Sequence, residues 1–100
     1  MPAQETRLMN VWDLFHLDGK SALITGGARN LGYDMALALA EAGADVAVTS
    51  RKFADARDAA ARIAQATGRK AVGYQLDVSD EAQVEKTVSA MLADLGAIDI

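Results

Sequence analysis

The sequence predicts an α/β fold, the first half of a doubly wound parallel sheet, and three observations carry that expectation. Short apolar runs rich in Val, Ile and Ala alternate with longer segments of helical period, in the order β-α-β-α-β-α and then β. Glycines stand where the helical segments stop, at Gly43, Gly68 and Gly96. The first apolar run closes on a glycine pair, Gly26-Gly27, and a helix begins a few residues later.

Each element has its own signal. Residues 1–10 are polar and predict a flexible leader. Val11, Trp12, Leu14, Phe15 and Leu17 form an apolar lead-in, with Trp12 and Phe15 expected to pack on the sheet or on a neighbouring subunit. Asp18-Gly19-Lys20 turns the chain into a first strand over 21–25. Helical spacing of Met35, Leu39 and Ala42 predicts a helix over 31–42. A second strand over 46–50 is almost wholly apolar, as expected when both faces are covered. The next helix, 53–67, turns Ala56, Ala60, Ile63 and Ala64 inward, and a third strand covers 71–76. Ser79 is the expected cap of a third helix, whose inner stripe is Val84, Val88, Met91, Leu92 and Leu95. Ile98-Asp99-Ile100 predicts a fourth strand cut short. Right-handed crossovers order the strands 3-2-1, with the fourth on the open side of the first. The organisation expected is a leader and lead-in over 1–18, then one partial domain over 19–100.

Composition bounds the function. The chain is 51% apolar and 24% charged, ordinary for a soluble globular domain. A net charge of −4 leaves no electrostatic footprint for nucleic acid or an anionic membrane. There are no cysteines, so disulfides and thiolate metal sites are excluded, which fits a cytoplasmic setting. No apolar run is long enough to span a bilayer.

The loop over 25–32 carries the chemistry. Glycines between a strand and a helix let the backbone turn sharply and approach a pyrophosphate, which the unpaired N–H groups and dipole of the helix favour. Thr25 ends the strand, where its hydroxyl can tie down the turn. A P-loop is excluded, because no Lys-Ser/Thr follows Gly32 and Lys20-Ser21 stands at the wrong end of the strand.

Thr25-Gly26-Gly27-Ala28-Arg29-Asn30-Leu31-Gly32 resembles the Thr-Gly-x-x-x-Gly-x-Gly cofactor motif of the short-chain dehydrogenase/reductase family. The resemblance extends over the Gly19-Lys20 lead-in, Ser50-Arg51 after strand two and Leu76-Asp77-Val78 after strand three. It implies a Rossmann-type sheet that binds a nicotinamide dinucleotide through Thr25, Gly26, Gly27, Arg29, Asn30, Leu31, Gly32, Ser50, Arg51, Asp77 and Val78. The chain departs from the pattern at Asn30, where the family has glycine. Asparagine tolerates a left-handed backbone better than other non-glycine residues, and its side chain can also cap the helix.

Cofactor choice follows from charge. NAD-specific sheets carry a carboxylate at the end of strand two, where it accepts from the ribose 2′-OH. Here that place holds Ser50, then Arg51 and Lys52, and the nearest acid, Asp45, starts the strand at the opposite edge. Arg29 and Arg51 resemble the residues that bind the 2′-phosphate of NADP, whereas Lys52 is expected to be a solvated charge. The implied preference is NADP(H) over NAD(H), an arginine–phosphate contact contributing roughly 1.5–3 kcal/mol. By the same resemblance Asp77 meets the adenine amino group and Val78 lines the adenine pocket, and Asp77 can also form an Asx-type turn into Ser79.

The chemistry of the family uses a tyrosine–lysine pair, a serine and an asparagine beyond the fourth strand. Tyr33 and Tyr74 are not the base, since neither has a lysine four residues on. His16, the single histidine, lacks a partner pattern. The resemblance therefore implies that these 100 residues are the inactive N-terminal part of an oxidoreductase acting on a secondary alcohol or ketone. The lead-in resembles that of gluconate 5-dehydrogenase-type members, which points to a sugar acid, and the complete protein is expected to be a dimer or tetramer. The alternatives are a non-catalytic nucleotide-binding or regulatory relative, or an inactive fragment. A methyltransferase-like sheet is disfavoured by the threonine-led motif.

Overall fold

The computed structural model describes residues 11–100; the expected leader over 1–10 lies outside the described residues, as does the side chain of Trp12. In chain order the elements are α1 (Val11–Phe15), β1 (Ser21–Ile24), α2 (Asn30–Glu41), β2 (Asp45–Ser50), α3 (Phe53–Thr67), β3 (Ala71–Gln75) and α4 (Glu81–Leu95). The three strands form a parallel sheet in the order β1-β2-β3, the expected 3-2-1 read from the other side. Ser21 pairs with Asp45 and Ile24 with Val48, while Val46 pairs with Ala71 and Ser50 with Gln75. β2 and β3 thus end together and β1 two residues earlier, with all three carboxyl ends at one edge of the sheet.

No fourth strand forms over 98–100, yet its backbone lies where that strand was expected. The Asp99 amide donates to the Ser21 carbonyl at 2.8 Å, and the Leu23 amide donates to the Ile100 carbonyl at 3.0 Å. The neighbouring Lys20 carbonyl accepts from Asp45 of β2 instead. Because alternate residues of β1 bond opposite neighbours, this segment lies on the open side of the strand.

Helices α2 and α3 cover one face of the sheet, as two successive right-handed crossovers require. The core there joins Ala22, Ile24, Val46 and Val48 of the sheet to Ala36 and Ala40 of α2 and to Ala59, Ala60 and Ile63 of α3. Alanine dominates because small side chains let helix and sheet approach closely. Gly73 shows how close: a Cβ there would stand 2.5 Å from the Ala56 backbone. The next residue, Tyr74, points to the opposite face, where its hydroxyl donates to Asp94 of α4.

Several expected faces are corrected by the structure. On α2 the buried residues are Ala36 and Ala40, Leu39 is half-buried and Met35 is exposed. This helix is apolar on more than one side, and the sheet takes the side with the smaller residues. On α3 Ala59 joins the buried stripe and Ala64 is only half-buried. On α4 Thr87 and Met91 are buried, Val84, Val88 and Leu95 half-buried and Leu92 exposed. Phe15 is 67% exposed, so the sheet is not its partner. Leu17 does reach the core, its amide donating to the Ala42 carbonyl at 2.8 Å.

Helix ends follow local chemistry. Gly68 and Gly96 close α3 and α4 in the left-handed conformation, at φ 72° and 84°. The cap of α4 is Asp80, which accepts from the Gln83 amide at 3.1 Å, and not Ser79. Ser79 is drawn the other way, donating its hydroxyl to Asp77 at 2.7 Å.

Candidate functional site

The carboxyl ends of the three strands open onto a cleft of about 450 Å³. From the loop after β1 come Gly26, Ala28 and Arg29; from the end of β2, Thr49, Ser50 and Arg51; from the segment after β3, Leu76, Asp77, Val78 and Ser79. Register places them together, because Ile24, Ser50 and Gln75 all end their strands at this edge. Asp45 lies at the far end, 3.5 Å from an Arg69 guanidinium nitrogen.

The glycine loop is held down by β2. The Gly26 amide donates to the Thr49 hydroxyl at 3.3 Å, and the Gly27 amide to the Thr49 carbonyl at 3.1 Å. Gly26 sits at φ 65°, a conformation that disfavours a side chain, with open space on the side where one would project. Gly27 and Gly32 are packing positions. A Cβ on Gly27 would stand 2.8 Å from the Val48 Cγ1, and one on Gly32 would strike the Gly26 carbonyl.

Asn30 takes the left-handed conformation at φ 57°, the single non-glycine residue to do so among the described residues. Its side chain does not cap α2: the capping position is Arg29, in extended backbone and with no side-chain hydrogen bond. The first turn of α2 therefore meets the loop with uncapped backbone N–H groups. Thr25 is exposed, and the hydroxyl that ties the turn is that of Thr49. Leu31 is exposed at the helix start. Neither Thr25, Asn30 nor Leu31 lines the cleft, whereas Gly26, Arg29, Ser50, Arg51, Asp77 and Val78 all do.

Beside Ser50 the cleft continues into a recess of about 300 Å³ bounded by Arg29, Ser50, Arg51, Lys52 and Asp55. Arg29, Arg51 and Lys52 form no ion pair among the described residues. Three uncommitted cations thus surround the end of β2. Lys52 belongs to this group, although its sequence position resembled an ordinary surface charge.

Asp77 forms the Asx-type turn. One carboxylate oxygen accepts from the Ser79 amide at 3.0 Å and the Ser79 hydroxyl at 2.7 Å, leaving the other unbonded. These bonds, with a smaller contribution from the Arg51 charge, hold its pKa below the usual carboxylate value. Its own amide donates to the Gln83 side chain at 2.6 Å.

The cleft offers binding groups and no nucleophile–base constellation among the described residues. Tyr33 packs under the Arg62 guanidinium, 4.6 Å from the ring centre. Burial, then its bond to Asp94, raises the Tyr74 phenol above its ordinary value of 10, away from the range of a base. His16 is exposed, and the described residues include no cluster of His, Cys, Asp or Glu able to hold a metal. No described helix is long and apolar enough to cross a membrane.

Comparison with known proteins places these features in a family. The family model for short chain dehydrogenases matches residues 20–100. A 2-dehydro-3-deoxy-D-gluconate 5-dehydrogenase from Formosa agariphila is 42% identical over 88 residues, which cover 88% of this chain and 33% of the relative. The NADPH-dependent 3-quinuclidinone reductase from Rhodotorula rubra superposes with a TM-score of 0.85 at 35% identity, over 91% of this chain and 34% of that one. An NAD+-bound xylitol dehydrogenase does so with a TM-score of 0.78 at 35% identity, over 82% and 31% respectively. The chain spans about a third of the length of the curated relatives it matches.

Proposed function

Because the chain belongs to the short-chain dehydrogenase family, we propose that these residues build the adenosine and pyrophosphate half of a dinucleotide site in an NADP(H)-dependent dehydrogenase or reductase. The bound nicotinamide exchanges a hydride with the carbon of a secondary alcohol or ketone.

The pyrophosphate lies against the loop from Gly26 to Arg29, where open space over Gly26 and the uncapped first turn of α2 supply room and N–H donors. Thr25 and Gly27 shape that loop, and Asn30, Leu31 and Gly32 begin the helix behind it. The adenosine ribose sits over Ser50, with its 2′-phosphate between Arg29 and Arg51. The unbonded oxygen of Asp77 accepts from the adenine amino group, and Val78, 64% exposed, gives the ring an apolar surface.

One observation carries the cofactor preference: the recess at the end of β2 holds Arg29, Arg51 and Lys52 without ion-pair partners. The similar proteins include an NADPH-dependent reductase and an NAD+-bound dehydrogenase, so the fold accommodates both cofactors. Local charge must then choose. A sugar acid or polyol is the proposed substrate class, supported by the gluconate-type relative and the xylitol dehydrogenase. The complete protein is proposed to be a cytoplasmic dimer or tetramer, and the 100 residues alone are expected to be inactive.

Fluorescence titration of the natural full-length protein tests the preference. NADPH is expected to bind at least several-fold tighter than NADH, and Arg51→Ala to weaken NADPH about tenfold to a hundredfold while sparing NADH. Equal affinities, or a preference for NADH, contradict the proposal.

A further inference from the structure

Asp55 stands in the first turn of α3 and bounds the recess that contains Arg29, Ser50, Arg51 and Lys52. An acidic residue there has an ordinary explanation, since carboxylates favour helix N-termini and one three residues into a helix can bond back to the capping amide. The structure does not use it so. The amide of Lys52, the capping residue, donates to the Ser50 hydroxyl at 3.3 Å. The Asp55 carboxylate makes no hydrogen bond and no ion pair with any described residue, although three cations bound the same recess. Asp58, one turn along, bonds to Arg57 at 3.6 Å and does not bound this recess.

A carboxylate without partners on the wall of this recess has two consequences. It can accept a hydrogen bond from a free 2′-hydroxyl, as a strand-end acid does in NAD-specific sheets. It also repels a 2′-phosphate, opposing the attraction of the arginines. We infer that Asp55 is a specificity-determining residue: its carboxylate favours NAD(H) and opposes NADP(H), holding the preference set by Arg29 and Arg51 to a modest ratio. This rests on the nucleotide-site reading proposed above. Asp55 thereby occupies from the helix the role whose usual strand-end position is filled by Ser50.

The test titrates NADPH and NADH against the natural full-length protein and its Asp55→Asn, Asp55→Glu and Asp58→Asn variants. Removing one charge several ångströms from a phosphate in water-exposed surroundings is worth about three- to tenfold. Asp55→Asn is therefore expected to tighten NADPH by about three- to tenfold and to weaken NADH about threefold. Asp55→Glu and Asp58→Asn keep the wild-type ratio. At about 0.5 M salt the NADPH gain shrinks, because the effect is charge-based, whereas a merely structural role leaves it unmoved. If both cofactors bind and Asp55→Asn leaves their ratio within twofold of wild type, the inference falls and the nucleotide site stands. If wild type binds neither cofactor, the site reading falls and takes this inference with it.

Discussion

Asn30 and Gly26 bend the same loop by different means. Gly26 reaches φ 65° because it has no Cβ, and Asn30 reaches φ 57° because its short side chain tolerates the strain. Asn30→Gly is therefore expected to leave stability within about 1 kcal/mol of wild type, whereas Asn30→Val costs about 1–2 kcal/mol, as read from urea melts. Gly32→Ala drives a methyl into the Gly26 carbonyl. We expect it to cost about 1–3 kcal/mol and to weaken NADPH at least tenfold, since the loop must shift. The glycines were legible from their order between strand and helix. The Thr49 hydroxyl was not, because in an apolar run a threonine is indistinguishable from a β-branched packing residue. Only the register that sets it against the loop reveals its bond to Gly26. The Asp55 carboxylate was hidden for a similar reason, since acids near helix starts are common.

At the scale of elements, spacing and glycine stops located the helices better than they oriented them. The structure ends α3 at Thr67 with Gly68 left-handed, as the sequence predicted. The buried face of α2 was not legible, because a helix apolar on several sides offers no unique stripe. The sequence placed the cap of α4 at Ser79. The stronger acceptor Asp77 captures that serine and leaves the cap to Asp80. Asp80→Ala is accordingly expected to cost about 1 kcal/mol by chemical denaturation. Ser79→Ala should spare the helix and raise the Asp77 pKa, seen by NMR titration of its carboxyl carbon. Parallel pairing was legible from helix-length connections between strands. The backbone pairing of Asp99 and Ile100 with β1 was legible as position and not as a formed strand.

For the whole molecule, two shifted groups shape stability against pH. The Tyr74 phenol is raised above 10, so the folded state holds its proton more tightly than the unfolded chain. Its stabilising contribution is complete below pH 10 and is lost as pH climbs towards the raised value. Asp77 is lowered below 3.8, so its contribution is present above that pH and is lost as pH falls through the lowered value. Urea melts across both limbs should show Tyr74→Phe losing less stability than wild type between neutral pH and about pH 11. Asp77 belongs both to the acid limb and to the candidate site, whose residues converge from three strand ends onto one cleft. A crystal structure of the natural full-length protein with NADP+ tests that convergence most directly. The 2′-phosphate is expected between Arg29 and Arg51, the pyrophosphate on the Gly26 loop and adenine against Val78. A 2′-phosphate directed away from both arginines, or a dinucleotide bound outside the cleft, would contradict it.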